Sequence, residues 1–169
     1  MKSHFKITRK LIDHVRTDVR RPHAFAGERV GFILCRFGVT SRPDLLVLAH
    51  SYHAVADEDY IDDMQYGAVI NSAAFRKAMQ LAYTNAVGLF HVHLHEHSGK
   101  PSPSGIDVRE TSAFVPDFFH VRPRLPHGAL VLSADSISGR IWVPEDRKPS
   151  TIDRFTVVGT PLSKIDGKR

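Results

Sequence analysis

The stretch GLFHVHLHEHSGKPSPSGID, residues 88–107, places four of the chain's eleven histidines within seven positions and closes on Ser-Gly-Ile-Asp. Imidazole nitrogens and carboxylate oxygens are the donors that divalent metals such as zinc use. Alternate side chains of a strand share a face, so His91 and His93 point the same way and can chelate one cation. His95 and His97 are rivals for as long as the strand continues, and the loop-like composition of HEHSGKPSPSG predicts that it stops near Leu94. Ser104 to Asp107 fits a capping pattern, in which an N-cap serine is followed three residues later by an acid. A strand that supplies two neutral nitrogens and a helix start that supplies the Asp107 carboxylate would make a three-ligand site.

Such a site is open. Structural zinc is closed by four ligands rich in thiolate, and Cys35 is the sole cysteine of the chain. An N,N,O set leaves one position free, where a metal can polarise a carbonyl and lower the pKa of water from about 15.7 toward about 7. Hydrolysis then needs a base, and the candidates are Glu28, Glu58, Glu96 and Glu110. Of these, Glu28 stands just before RVGFILC, at the mouth of a predicted buried strand, where a carboxylate can be held rigidly beside a metal on the neighbouring strand.

The elements that must position these groups follow from periodicity. Leu11, Ile12, Val15 and Val19 recur at helical spacing over residues 8–21, with Thr8 as N-cap and Pro22 just beyond. VGFILCRF at 30–37 reads as a buried strand, and DLLVLAHSYHAV at 44–55 as a second, reached through the turn-like GVTSRP. ADEDYIDD then puts five carboxylates between Asp57 and Asp63, a solvated loop or a lip for a basic partner. A second helix runs through SAAFRKAMQLAYTNAVG, with Phe75, Met79, Ala82 and Ala86 on one face, Ser72 as N-cap and Gly88 as its stop. LFHVH is a strand, a third helix runs from Ser104 to near Pro116, and strands follow at 128–132, 140–143 and 154–159, with turns such as SISG between them. Interleaved helices and strands predict an α/β class, one mixed β-sheet flanked by helices in a single domain over 1–169.

Bulk properties narrow the function. At 169 residues the chain buries a core without disulfides or structural metal, so a bound metal is expected to serve chemistry. The net charge of +5 comes from lysines and arginines spread from Lys2 to Arg169 with no basic block, a solvated surface and not a nucleic-acid stripe. Met-Lys-Ser-His opens without an apolar signal region, and no run approaches the ~18 apolar residues of a membrane span. With Cys35 as a buried structural thiol in VGFILCRF, a reducing cytoplasm is the expected setting.

Taken together, GERVGFILC, GLFHVH and SGID resemble the JAMM family of zinc metalloproteases, also called JAB or MPN-plus. Its signature is a glutamate ahead of a strand, then H-x-H, then S-x-x-D. The resemblance runs from about Phe5 to about Gly159, and it implies a cytidine-deaminase-like fold. It further implies one zinc ion held by His91, His93 and Asp107 with water as fourth ligand, Glu28 as general acid/base, and Ser104 as donor to the tetrahedral oxyanion. The segment between His93 and Ser104 departs from the pattern, being longer than the family's and carrying Leu94 where the family has a proline. The implied substrate is the C-terminus of a ubiquitin-like protein or its conjugates, in the company of activating or conjugating enzymes of a bacterial conjugation or antiphage operon. Two other readings stay open: a RadC-like domain associated with nucleic acid, suggested by HSGKPSPSGID, and a non-catalytic MPN scaffold.

Overall fold

In α1 (Arg9–Val19) the side chains of Ile12, Val15 and Val19 fall on one buried face, and Thr8 caps the start by accepting the Leu11 N–H at 3.2 Å. The computed structural model describes residues 1–24, 26–39, 44–63, 67–146 and 148–167. Most of GVTSRP, residues 40–43, lies outside the described residues.

Period-two burial builds the sheet against which α1 packs. Its strands are β1 (Ser3–Thr8), β2 (Val30–Val39), β3 (Leu45–Ala54), β6 (Gly88–Leu94), β7 (His127–Leu132), β8 (Ile137–Trp142), β9 (Pro149–Thr151), β10 (Arg154–Val158) and β11 (Ser163–Asp166), after a small separate pair of β4 (Tyr60–Ile61) and β5 (Val69–Ile70). The nine strands lie in the order β11-β10-β1-β3-β2-β6-β7-β8-β9. The sheet is mixed, because β1 runs parallel to both β3 and β10 and β6 runs parallel to β7, while the remaining pairs are antiparallel. The α/β class with one mixed sheet is thus the observed architecture. No helix among the described residues is long and apolar enough to cross a membrane.

Each face of the central strands has its own core. Ile33, Cys35, Phe90, Val92 and Leu94 point to the α1 side, where they meet Phe5 and Phe155. Phe32, Leu34 and Leu89 point to the other side, against α2 (Ser72–Asn85). Every residue of β6 is buried, as expected of a strand covered on both faces. Cys35 is fully enclosed, and burial pushes its thiol well above the usual range, which fits an inert structural residue. Trp142 is likewise core.

Several local expectations are corrected. Asn71 and not Ser72 caps α2, its Oδ1 accepting from the N–H groups of Ala73 and Ala74. The fully buried stripe is Ala74, Ala78 and Ala82, whose small side chains bring the helix close to the sheet, while Phe75 and Met79 flank it and Ala86 is exposed. Ala86 ends α2 in the left-handed region at φ 54°, and Gly88 already belongs to β6. Glycine is needed there for close approach, since a Cβ would run into the Pro126 carbonyl and the Phe37 ring. Of SISG only Ser136 belongs to the turn, which the Ser133 N–H closes on the Ser136 carbonyl at 3.1 Å; β8 begins at Ile137. The acidic run is only partly solvated, because Asp57 pairs with buried Arg29 at 2.6 Å and buried Asp59 with Lys77 at 2.6 Å.

Candidate metal centre

Leu89, His91 and His93 alternate with Phe90 and Val92, so the second core's side of the sheet receives both histidines. Their ring centroids are 5.8 Å apart, and both side chains are buried. Phe32 and Phe114 pack edge-on against His91. Burial pushes the His91 imidazole down to about 3, with His93 beside it adding to the effect, so the ring is neutral and its lone pair available. Its Nδ1 is enclosed and has no hydrogen-bond partner among the described residues.

As expected, β6 stops at Leu94. The His95 N–H then donates to the Leu132 carbonyl at 2.9 Å, which holds His95 at the end of β7. Its Nε2 lies 3.2 Å from His93 Nε2. His97 turns away, with Nδ1 2.9 Å from the Ser98 carbonyl and its side chain exposed.

Asp107 arrives from the opposite direction, on the first turn of α3 (Gly105–Phe114). Ser104 caps this helix in a full capping box: Ser104 Oγ accepts the Asp107 N–H at 3.1 Å, and Asp107 Oδ2 accepts the Ser104 N–H at 2.7 Å. The box fixes the carboxylate so that Oδ1 lies 3.3 Å from His93 Nε2 and Oδ2 lies 3.4 Å from His95 Nε2. Burial works to raise the Asp107 carboxyl, but the hydrogen bonds from His93 and Ser104 outweigh it and hold the group well below the usual carboxylate range.

His93, His95 and Asp107 therefore offer donor atoms that all lie within 4.8 Å of one another and could hold a metal ion. Two imidazole nitrogens and an ionised oxygen converging on one point create a negative potential that a proton or a cation must meet. The structure thus adds His95 to the pair His93 and Asp107, and leaves His91 adjacent to the group, on the same strand face.

Glu28 reaches this place from the start of β2. Its N–H donates to the Gly67 carbonyl at 2.6 Å, while the next residue, Arg29, is locked by the carbonyls of Arg21 and Pro22 and by Asp57. Tyr60 clasps Val30 through both its N–H and its carbonyl. A cavity of about 570 Å³ is lined by Glu28, His91, His93, His95, Ser104 and Asp107, with Val30, Phe75 and Phe114 as apolar walls. All five residues singled out from the sequence meet in it. Of the other glutamates considered, Glu110 also reaches the cavity but is exposed and paired with Arg109, whereas Glu58 and Glu96 do not line it.

No family model matches the chain, and no curated protein matches it. Among solved structures the chain is similar to a Trichoplax adhaerens STIL N-terminal domain, with a TM-score of 0.36 and 10% identity over 80% of this chain and 39% of that one. The chain spans well under half of that structure's length, and a likeness at this level says nothing of function.

Proposed function

We propose that the chain is a zinc-dependent hydrolase of the JAMM type, a peptidase or isopeptidase that cuts after the C-terminus of a ubiquitin-like protein, on a cytidine-deaminase-like fold. One observation carries this reading: Glu28, the His91 and His93 pair, and the Ser104 and Asp107 pair come from three separate parts of the chain and line one cavity. The donor set fits zinc, since two imidazoles and a carboxylate are ligands that it accepts with one position left over.

His91, His93 and Asp107 would hold the ion. His91 is kept neutral by burial, and none of the described residues satisfies its Nδ1. When bound, zinc supplies Lewis acidity, polarising a carbonyl and acidifying water. Glu28 takes up a proton in the cavity and passes it to the leaving amine. Ser104 Oγ already accepts the Asp107 N–H, so its own hydrogen is left to donate to the oxygen on which negative charge develops.

The cavity's edge supports the substrate class. Val69 and Ile70 of β5 line it, and β5 pairs only with β4 among the described residues. An extended peptide tail can add along the other edge of β5 and run toward His93. The test is incubation of the purified protein with a ubiquitin-like protein fused to a reporter, with and without chelator. Cleavage after the ubiquitin-like C-terminus, lost with chelator and restored by zinc, is the expected result. Glu28→Gln should keep its zinc while the rate falls by about 10²–10⁴. Cleavage that persists in metal-stripped protein would sink the reading.

A further inference from the structure

A second cavity, of about 250 Å³, lies on the far side of His93 and Asp107, which stand in the wall shared with the first. Strand register explains it. His91 aligns with Ala129 of β7 and then Arg140 of β8, and His93 aligns with Val131 and then Ser138. Two adjacent rows of one sheet face thus read His-Ala-Arg and His-Val-Ser. Ala129 leaves space in the middle of its row, and Arg140 and Ser138 sit two strand spacings, about 10 Å, from the histidines.

The cavity is basic and polar at its far end. Arg140 makes no ion pair among the described residues; its guanidinium lies over the Trp142 ring, 5.0 Å from the centroid, with only long contacts of 3.4 Å to the Val108 carbonyl and 3.5 Å to Ser112 Oγ. Lys100, on the rim, has no acidic partner among the described residues either, and donates to the Gly167 carbonyl at 2.7 Å. Ser138 is 7% exposed, and its Oγ is buried with no hydrogen-bond partner among the described residues. A buried hydroxyl without a partner is costly unless something else satisfies it. Asp107, which also lines this cavity, pairs with neither cation; its oxygens are engaged by His93, His95 and the Ser104 N–H.

We propose that this cavity is an oxyanion subsite, in which Arg140, Lys100 and Ser138 hold a carboxylate or phosphate of a ligand whose other end lies beside His93. Arg140 offers the planar fork that matches such groups, Lys100 a second charge, and Ser138 a hydroxyl donor. The subsite stands on these three side chains and does not depend on the hydrolytic reading.

Calorimetric titration of the purified protein with inorganic phosphate and, separately, with glutarate tests it, at an ionic strength held constant with chloride. Saturable binding of either anion, with Kd on the order of 1 mM, is expected, together with a change in the emission of Trp142, the chain's one tryptophan. The tighter of the two identifies the source of the oxyanion. Arg140→Gln should weaken binding at least about tenfold and Lys100→Ala several-fold, whereas Glu28→Gln in the first cavity should leave it unchanged. Lys100 is exposed, so its variant reports on binding even if Arg140→Gln folds poorly. Absence of saturable binding to both anions, or an affinity in Lys100→Ala and Arg140→Gln unchanged from that of the unaltered protein, overturns the proposal. Loss of peptide hydrolysis with anion binding intact would count against the hydrolytic function alone.

Discussion

Ser104 and Asp107 hold each other from both ends: the serine hydroxyl accepts the aspartate's N–H at 3.1 Å, and the aspartate carboxylate accepts the serine's N–H at 2.7 Å. The same carboxylate faces His93, so the device that starts α3 also aims a carboxylate that could hold a metal. Ser104→Ala should therefore cost about 1 kcal/mol of stability through the lost cap. Its hydrolytic rate should fall by about 10²–10³, as for loss of one oxyanion donor, with bound zinc retained. Asp107→Ala should instead remove the metal. Denaturant unfolding, metal analysis and turnover on the same preparations separate the two, and stoichiometric zinc in Asp107→Ala would remove that residue from the ligand set.

In the proposed zinc site, His91 and His95 compete to be the third ligand beside His93 and Asp107. With His91 in the set, His91→Ala strips zinc, while the double change His95→Ala and His97→Ala keeps it and alters substrate affinity. Zinc lost from the double variant and kept in His91→Ala would transfer the role to His95, whose Nε2 is 3.2 Å from that of His93. Metal stoichiometry by mass spectrometry reads either result directly.

Gly67 offers a test of the role proposed for Glu28 that leaves the candidate metal donors untouched. A Cβ there would lie 2.9 Å from the Glu28 carboxylate, the movable end of a flexible side chain. Gly67→Ala should therefore shift Glu28 at little cost in stability and lower kcat while zinc content stays constant. Unchanged kcat would mean that the position of the Glu28 carboxylate does not limit the reaction.

Acid stability should carry the mark of His127. Its Nδ1 accepts the Leu89 N–H at 3.1 Å and its Nε2 donates to the Arg122 carbonyl at 3.1 Å, an arrangement only the neutral ring can make. Burial pushes its pKa down to about 4, against about 6.5 for an unfolded histidine. Between those values the unfolded chain binds a proton that the folded chain refuses, so stability falls as pH drops from about 6.5 to about 4 and this contribution then levels off. The contribution is on the order of 3 kcal/mol. His127→Gln should be less stable at pH 7 and have a shallower acid slope in urea unfolding; an identical slope would exclude His127 as the cause.

Local rules carried the sequence reading far where one element decides the outcome. His91 and His93 follow from the two-residue period of β6, and the Ser104 capping box from a four-residue pattern. Glu28 was placed by its position before an apolar strand, and it does reach the cavity. Features set by distant partners were not legible. Gly88 resembles a helix stop, yet what requires glycine there is a carbonyl thirty-eight positions later, at Pro126. The Asp57 and Asp59 carboxylates resemble loop charge because their partners, Arg29 and Lys77, are remote in sequence. Ser3–Thr8 carries a strand's alternation over too few residues to stand out, and it becomes a strand by pairing with β3 and β10. His95 entered the donor cluster through its tie to Leu132, which no local pattern encodes.

The register that sets Phe5 beside Phe155 has a consequence for biosynthesis. The α1-side core seals only when β1 finds a strand about 150 residues downstream, so this sheet cannot close on a nascent polypeptide until β10 has left the ribosome. Until then its hydrophobic flank is open to chaperones and proteases, and a translation arrest ahead of β10 would yield material for degradation instead of a smaller working unit.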